Sequence, residues 1–175
     1  MNQSSCKWKK VLIGAVPAVS LLMISAASVA DSKGKLPQAA YLPQDMALQA
    51  AATALEQCRA DGYSVSVAVV DRAGVLLTLV RDPAAGPHTI GSSQGKAFTS
   101  ASTGQITANM AQTISENPAL FGLRDMDARM VVLGGGLPII IEGQRLGGIG
   151  VGGAPGGHLD AVCALAGLKK IGAQI

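Results

Sequence analysis

Between Gln44 and Cys58 the apolar residues Leu48, Ala51, Ala52, Leu55 and Cys58 recur at helical spacing. Asp45 sits in the first turn and Gly62 follows as a stop, so this stretch predicts an amphipathic helix. The next run, SVSVAVVD over 64–71, changes period. Val65, Val67 and Val69 fall on one face and Ser64, Ser66 and Ala68 on the other, and a turn at Asp71 to Gly74 leads into VLLTLVR. That pattern predicts a β-hairpin. DPAAGPH is a loop by its prolines and glycine. Ile90 to Ser102 is rich in small residues and reads as a helix, and Ile106 to Glu116 reads as a second one ending before Pro118. MVVL at 130–133 reads as a short strand, and PIIIEGQRLGGIGVGG from Pro138 reads as a hairpin turning at Glu142-Gly143-Gln144. Pro155 and Gly156 then lead to a last helix, with Asp160 near its positive end and Cys163 within it. The order is helix, two strands, two helices, three strands, helix. Strands adjacent in sequence favour an α+β sandwich over a doubly wound sheet.

Gly148, Gly150 and Gly153 fit G-x-G-x-x-G, which raises dinucleotide binding. That fingerprint needs a β-α-β setting and an acidic residue about 20 positions on. Only one helix follows, and neither Asp nor Glu occurs after Asp160. The glycines are therefore read as architecture, on a hairpin arm where a missing side chain lets another backbone, subunit or ligand approach closely.

The first 30 residues have a different character. Lys7, Lys9 and Lys10 precede an apolar run, and Ser28-Val29-Ala30 supplies small residues at a cleavage site, the pattern of a signal peptide. Cys6 precedes the apolar run, which argues against a lipoprotein. Residues 31–43 read as a flexible lead-in and 44–175 as one domain. Without the three lysines of the leader, eleven basic residues face eleven acidic ones. A neutral mature chain with only Tyr41, Tyr63, Phe98 and Phe121 as aromatics is a poor nucleic-acid binder. No membrane association is expected once the leader is removed, and the expected location is periplasmic or secreted.

Five local signatures line up: VAVVDRAG (67–74), RDPAAGP (81–87), GKAFTSAS (95–102), GGGLPI (134–139) and GGIGVGGAPGGHLD (147–160). Together they resemble the GlcG/HbpS family, from about Leu42 to Ile171. The resemblance implies a profilin-like α+β fold, a central antiparallel β-sheet flanked by helices, and assembly into homo-oligomers. It also implies non-covalent haem binding, which secreted members perform. In such folds the first and last helices can share one sheet face, so Cys58 and Cys163 are disulfide candidates; two buried thiols are the alternative.

Haem requires an apolar slot, an axial ligand and donors for its propionates. His88 and His158 are the histidines of the mature chain, each equally readable as a solvated surface residue. By resemblance the GKAFT segment lines the haem region, making Thr99 an iron candidate beside His88; Thr99 could equally bond back to its own helix. Lys96 and Arg81 are propionate candidates, or ordinary surface or salt-bridged cations. Covalent haem is disfavoured because C-x-x-C-H is absent, and two cysteines with two histidines lack the spacing of a zinc site. Ser93-Gln94-Gly95-Lys96 matches S-x-x-K, but S-D-N and K-T-G are missing, and no nucleophile elbow supports a Ser-His-Asp triad.

The expectation is a binding protein that sequesters, transfers or senses haem, with a sensor or transport protein as a conceivable partner. Two readings stand beside it: an enzyme or accessory factor for small carboxylic acids such as glycolate, and a structural or sensor-partner domain.

Overall fold

A computed structural model describes residues 38–174. The segment expected to be a signal peptide and most of the expected lead-in fall outside them. Four strands, β1 (Ser66–Asp71), β2 (Leu76–Arg81), β3 (Gly136–Ile141) and β4 (Gln144–Gly152), form one sheet in the order β2-β1-β4-β3. Every pairing is antiparallel. Helices α1 (Gln44–Ala60) and α4 (Gly157–Lys170) cover one face, and α2 (His88–Thr103) covers the other. Helix α3 (Thr107–Glu116) and a 3-10 turn at Pro118–Arg124 build a satellite cluster around Phe98, Met110 and Ile114. The fold is the α+β arrangement expected, with helices on both faces of a central antiparallel sheet. Among the described residues no helix is long and apolar enough to cross a membrane.

Both hairpins turn where glycine allows it. Glu142 and Gly143 have φ of 51° and 73°, the positive pair of a tight turn whose twist suits the strands it joins. At the first hairpin Asp71 Oδ1 accepts from Ala73 N at 2.8 Å and Val75 N at 2.9 Å, holding the turn closed.

Strand β1 is buried on both sides. Val65, Val67 and Val69 join the α1 and α4 core, whereas Ala68 and Val70 meet Ala97 and Ala101 of α2. The glycines of β4 explain how α2 comes so near. A Cβ on Gly150 would lie 2.1 Å from Ser93 O, and one on Gly148 2.4 Å from Ala97 O. Ile149 and Val151 point the other way into the main core. The glycine run is thus a bare track for a helix, in keeping with its architectural reading.

Two expectations change. The 130–133 segment is not a strand: it runs beside α2, and Val131 N–H donates to Thr99 Oγ1 at 2.9 Å instead of entering a ladder. The third strand of that region accordingly drops out, leaving four among the described residues. On α1, Leu48 is 50% exposed, and the buried stripe is Ala47, Ala50, Ala51, Ala54, Leu55 and Cys58. Close packing against α4 selects alanine there, since a Cβ on Gly167 would already lie 2.4 Å from Ala50 O. Cys58 and Cys163 are joined by a disulfide across this helix pair, with Cα atoms 5.4 Å apart and both residues fully buried.

Candidate functional site

The first turns of α2 and α4 open onto one cleft of about 320 Å³. One wall is the N-terminal half of α2, with His88, Thr89, Ser92 and Lys96. The others are Leu133-Gly134 and the β4–α4 loop from Gly153 to Gly157. The two glycine loops touch backbone to backbone; a Cβ on Gly157 would sit 2.7 Å from Gly134 Cα. Proline and glycine shape this region because neither helix start carries a side-chain cap. Instead Thr89 Oγ1 donates to Gly86 O at 2.6 Å and lies 2.7 Å from Ser66 Oγ, fixing the start of α2 to β1.

Beneath the cleft lies a buried ion pair. Lys96 Nζ donates to Asp160 Oδ2 at 2.7 Å and to Val151 O at 2.9 Å, with both side chains under 5% exposed. Asp160 Oδ1 accepts from Ala154 N at 3.0 Å. Three contacts thereby tie α2, β4, the glycine loop and α4 together. Removing one partner of such a pair leaves an uncompensated charge out of water, at about 3–5 kcal/mol.

The residues singled out in the sequence take up different positions. His88 opens α2 on the exposed rim with its imidazole against Gly86. His158 is exposed on the first turn of α4, its ring against Gly156, which lines the cleft where His158 itself does not. Arg81, exposed at the end of β2, donates from its guanidinium to Ala85 O and so hangs on the same loop that presents His88. Lys96 is at the floor, in the salt-bridged form. Thr99 lies apart: it is 0% exposed, and its hydroxyl donates to Gly95 O at 2.8 Å while accepting from Val131 N. In this geometry Thr99 bonds back to its helix and pins the 130–133 segment.

Sequence reasoning did not anticipate Asp160 as the partner of Lys96; the two stand 64 positions apart in separate motifs. It also missed Arg129, whose guanidinium lies 4.0 Å from the centre of the Phe98 ring and is held there by two bonds to Asp127. That pairing, with the Arg129 backbone N–H, holds the Asp127 carboxyl down at about 2.

A second cavity of about 370 Å³ opens between Ile106, Leu137, Pro138, Ile140 and Leu168, with Gln105, Asn109 and Gln174 at its edges. It is the more apolar of the two, yet none of its lining residues can ligate iron or carries a charge. Among the described residues no three His, Cys, Asp or Glu side chains cluster as a metal site.

A four-stranded antiparallel sheet between two helical layers, with a polar cleft at two helix starts, defines a small α+β domain. Residues 42–169 match the family described as haem degrading protein HbpS-like, and the chain belongs to that family. It is similar to a double mutant of HbpS from Streptomyces reticuli, with 40% identity and a TM-score of 0.72 over 83% of this chain and 97% of that one. The Klebsiella pneumoniae protein ORFY is 28% identical with a TM-score of 0.75, covering 81% and 98% of the two chains. Protein GlcG of Escherichia coli K12 is 33% identical over 110 residues, 63% of this chain and 80% of GlcG.

Proposed function

We propose that this chain binds haem non-covalently after export, and serves in haem sequestration, transfer or sensing. The observation that carries the reading is the loop before α2 of an HbpS-like domain, which presents the exposed His88 imidazole to the cleft and accepts a bond from the exposed Arg81 guanidinium. His88 is the proposed axial ligand, with His158 on the first turn of α4 as a second candidate, and Arg81 pairs with a propionate. The donor set suits haem, but a cleft of about 320 Å³ takes only an edge of the macrocycle. Leu133, exposed on the cleft lip, offers apolar contact to that edge. The outer porphyrin face would be covered by a second copy of the chain, in line with the homo-oligomer expected from the resemblance. Export fits the buried disulfide, since such bridges persist in oxidising compartments.

The test is a haemin titration followed by absorbance, with His88→Ala, His158→Ala and Thr99→Val alongside. A saturable Soret shift that His88→Ala alters and Thr99→Val leaves in place is the expected result. No saturable change at micromolar protein would refute haem binding, and an unaltered spectrum in His88→Ala would remove that residue as ligand.

A further inference from the structure

Lys96 is almost sealed from solvent, yet it helps to line the cleft floor. An ammonium has three N–H donors. Two are answered, by Val151 O and Asp160 Oδ2, and no third acceptor occurs among the described residues. Ser92, four positions earlier on the same face of α2, lines the same wall, and its hydroxyl makes no hydrogen bond among the described residues. Gly157 lines the cleft at the start of α4, a helix end without a side-chain cap. Asp160 is the one acid on the lining, and its charge is already met by Lys96. The floor therefore offers several donors and, with Lys96 and Asp160 paired, no net charge.

We infer that this floor is a subsite for a small carboxylate, bound by the third N–H of Lys96, the Ser92 hydroxyl and the first amides of α4. A space of about 320 Å³ accepts an acid of a few carbons. The inference does not depend on haem, although a haem propionate carries the same group.

Isothermal titration calorimetry with sodium lactate and sodium acetate, at ionic strength matched with sodium chloride, tests it on the whole protein. Lys96→Met alone strands the Asp160 charge and can fail to fold, so the comparison uses Lys96→Met with Asp160→Asn, which removes both charges. Ser92→Ala serves as a second, mild probe. Saturable millimolar binding is expected, weakened about tenfold or more in the folded double variant and about threefold in Ser92→Ala. Equal affinity in the double variant, or no saturable heat from the unaltered protein, would overturn the assignment. Competition separates the two sources of carboxylate: lactate that weakens haemin but not haemin dimethyl ester places a propionate in the subsite, and lactate that weakens neither makes it a site for a free acid. Lactate binding without haemin binding would end the haem reading and leave the subsite standing. Haemin binding without lactate binding would do the reverse.

Discussion

Reducing the Cys58–Cys163 bridge is the perturbation whose size follows most directly from the fold. The two cysteines are 105 residues apart, so the bridge closes most of the domain into a loop. The chain-entropy relation gives about 4–5 kcal/mol for a loop near 100 residues. Both side chains are fully buried between α1 and α4, and reduction leaves them there as small apolar groups, so packing changes little. Nearly the whole effect should therefore pass through the unfolded state. For a domain of this size that corresponds to a fall in Tm of roughly 10–20 °C. The assay is scanning calorimetry of the oxidised protein and of protein reduced while unfolded and refolded in reductant. Alkylation without reductant, followed by peptide mapping, checks the starting state. Labelling of Cys58 and Cys163 before reduction, or Tm values that agree within about 2 °C, would refute the reasoning.

Three further outcomes follow from geometry. Gly150→Ala would drive a Cβ into Ser93 O at 2.1 Å and should destabilise by ~3 kcal/mol or more, read as a lowered urea midpoint; an unchanged midpoint would mean that α2 does not rest on β4. Thr99→Val removes the acceptor of Val131 N–H and should cost about 1–3 kcal/mol in the same assay. The Asp127 carboxyl should titrate near 2 by carbon NMR, against 3.8 for a free aspartate. Because its folded value is depressed, the stabilisation is fully present above 3.8 and is lost as pH falls through about 2. Arg129→Ala should return the midpoint toward 3.8.

The legible parts of this fold are those set by local chemistry. The turn at Glu142-Gly143 and the helix stop at Gly62 need positive φ, and the sequence supplies glycine at both. The alternation of Val65, Val67 and Val69 marks the core face of β1 without reference to the rest of the chain. What escaped was decided by distant partners. Leu48 has the right spacing for the buried face, but the closeness of α4 fills that face with alanines instead. MVVL has strand composition, yet its amide at Val131 is answered by a threonine 32 positions earlier. Nor does anything in GKAFT announce that its lysine pairs with an aspartate in the last helix. A pattern reader sees which residues are apolar and which can turn; it does not see which polar side chain will be spent on structure.

The bare face of β4 has a consequence for how this protein can change over time. A core that overlaps side chain on side chain drifts by paired exchanges, one residue growing as its neighbour shrinks. Gly148 and Gly150 have no such exchange open to them, because the atoms that would meet their Cβ first are main-chain atoms of α2 that no substitution can trim. Alternate positions of one strand are thus frozen, while Ile149 and Val151 between them remain free to trade volume with α1 and α4. Variation around the cleft must then come from its loops and from the α2 side chains that line it, with the helix itself held at a fixed height above the sheet.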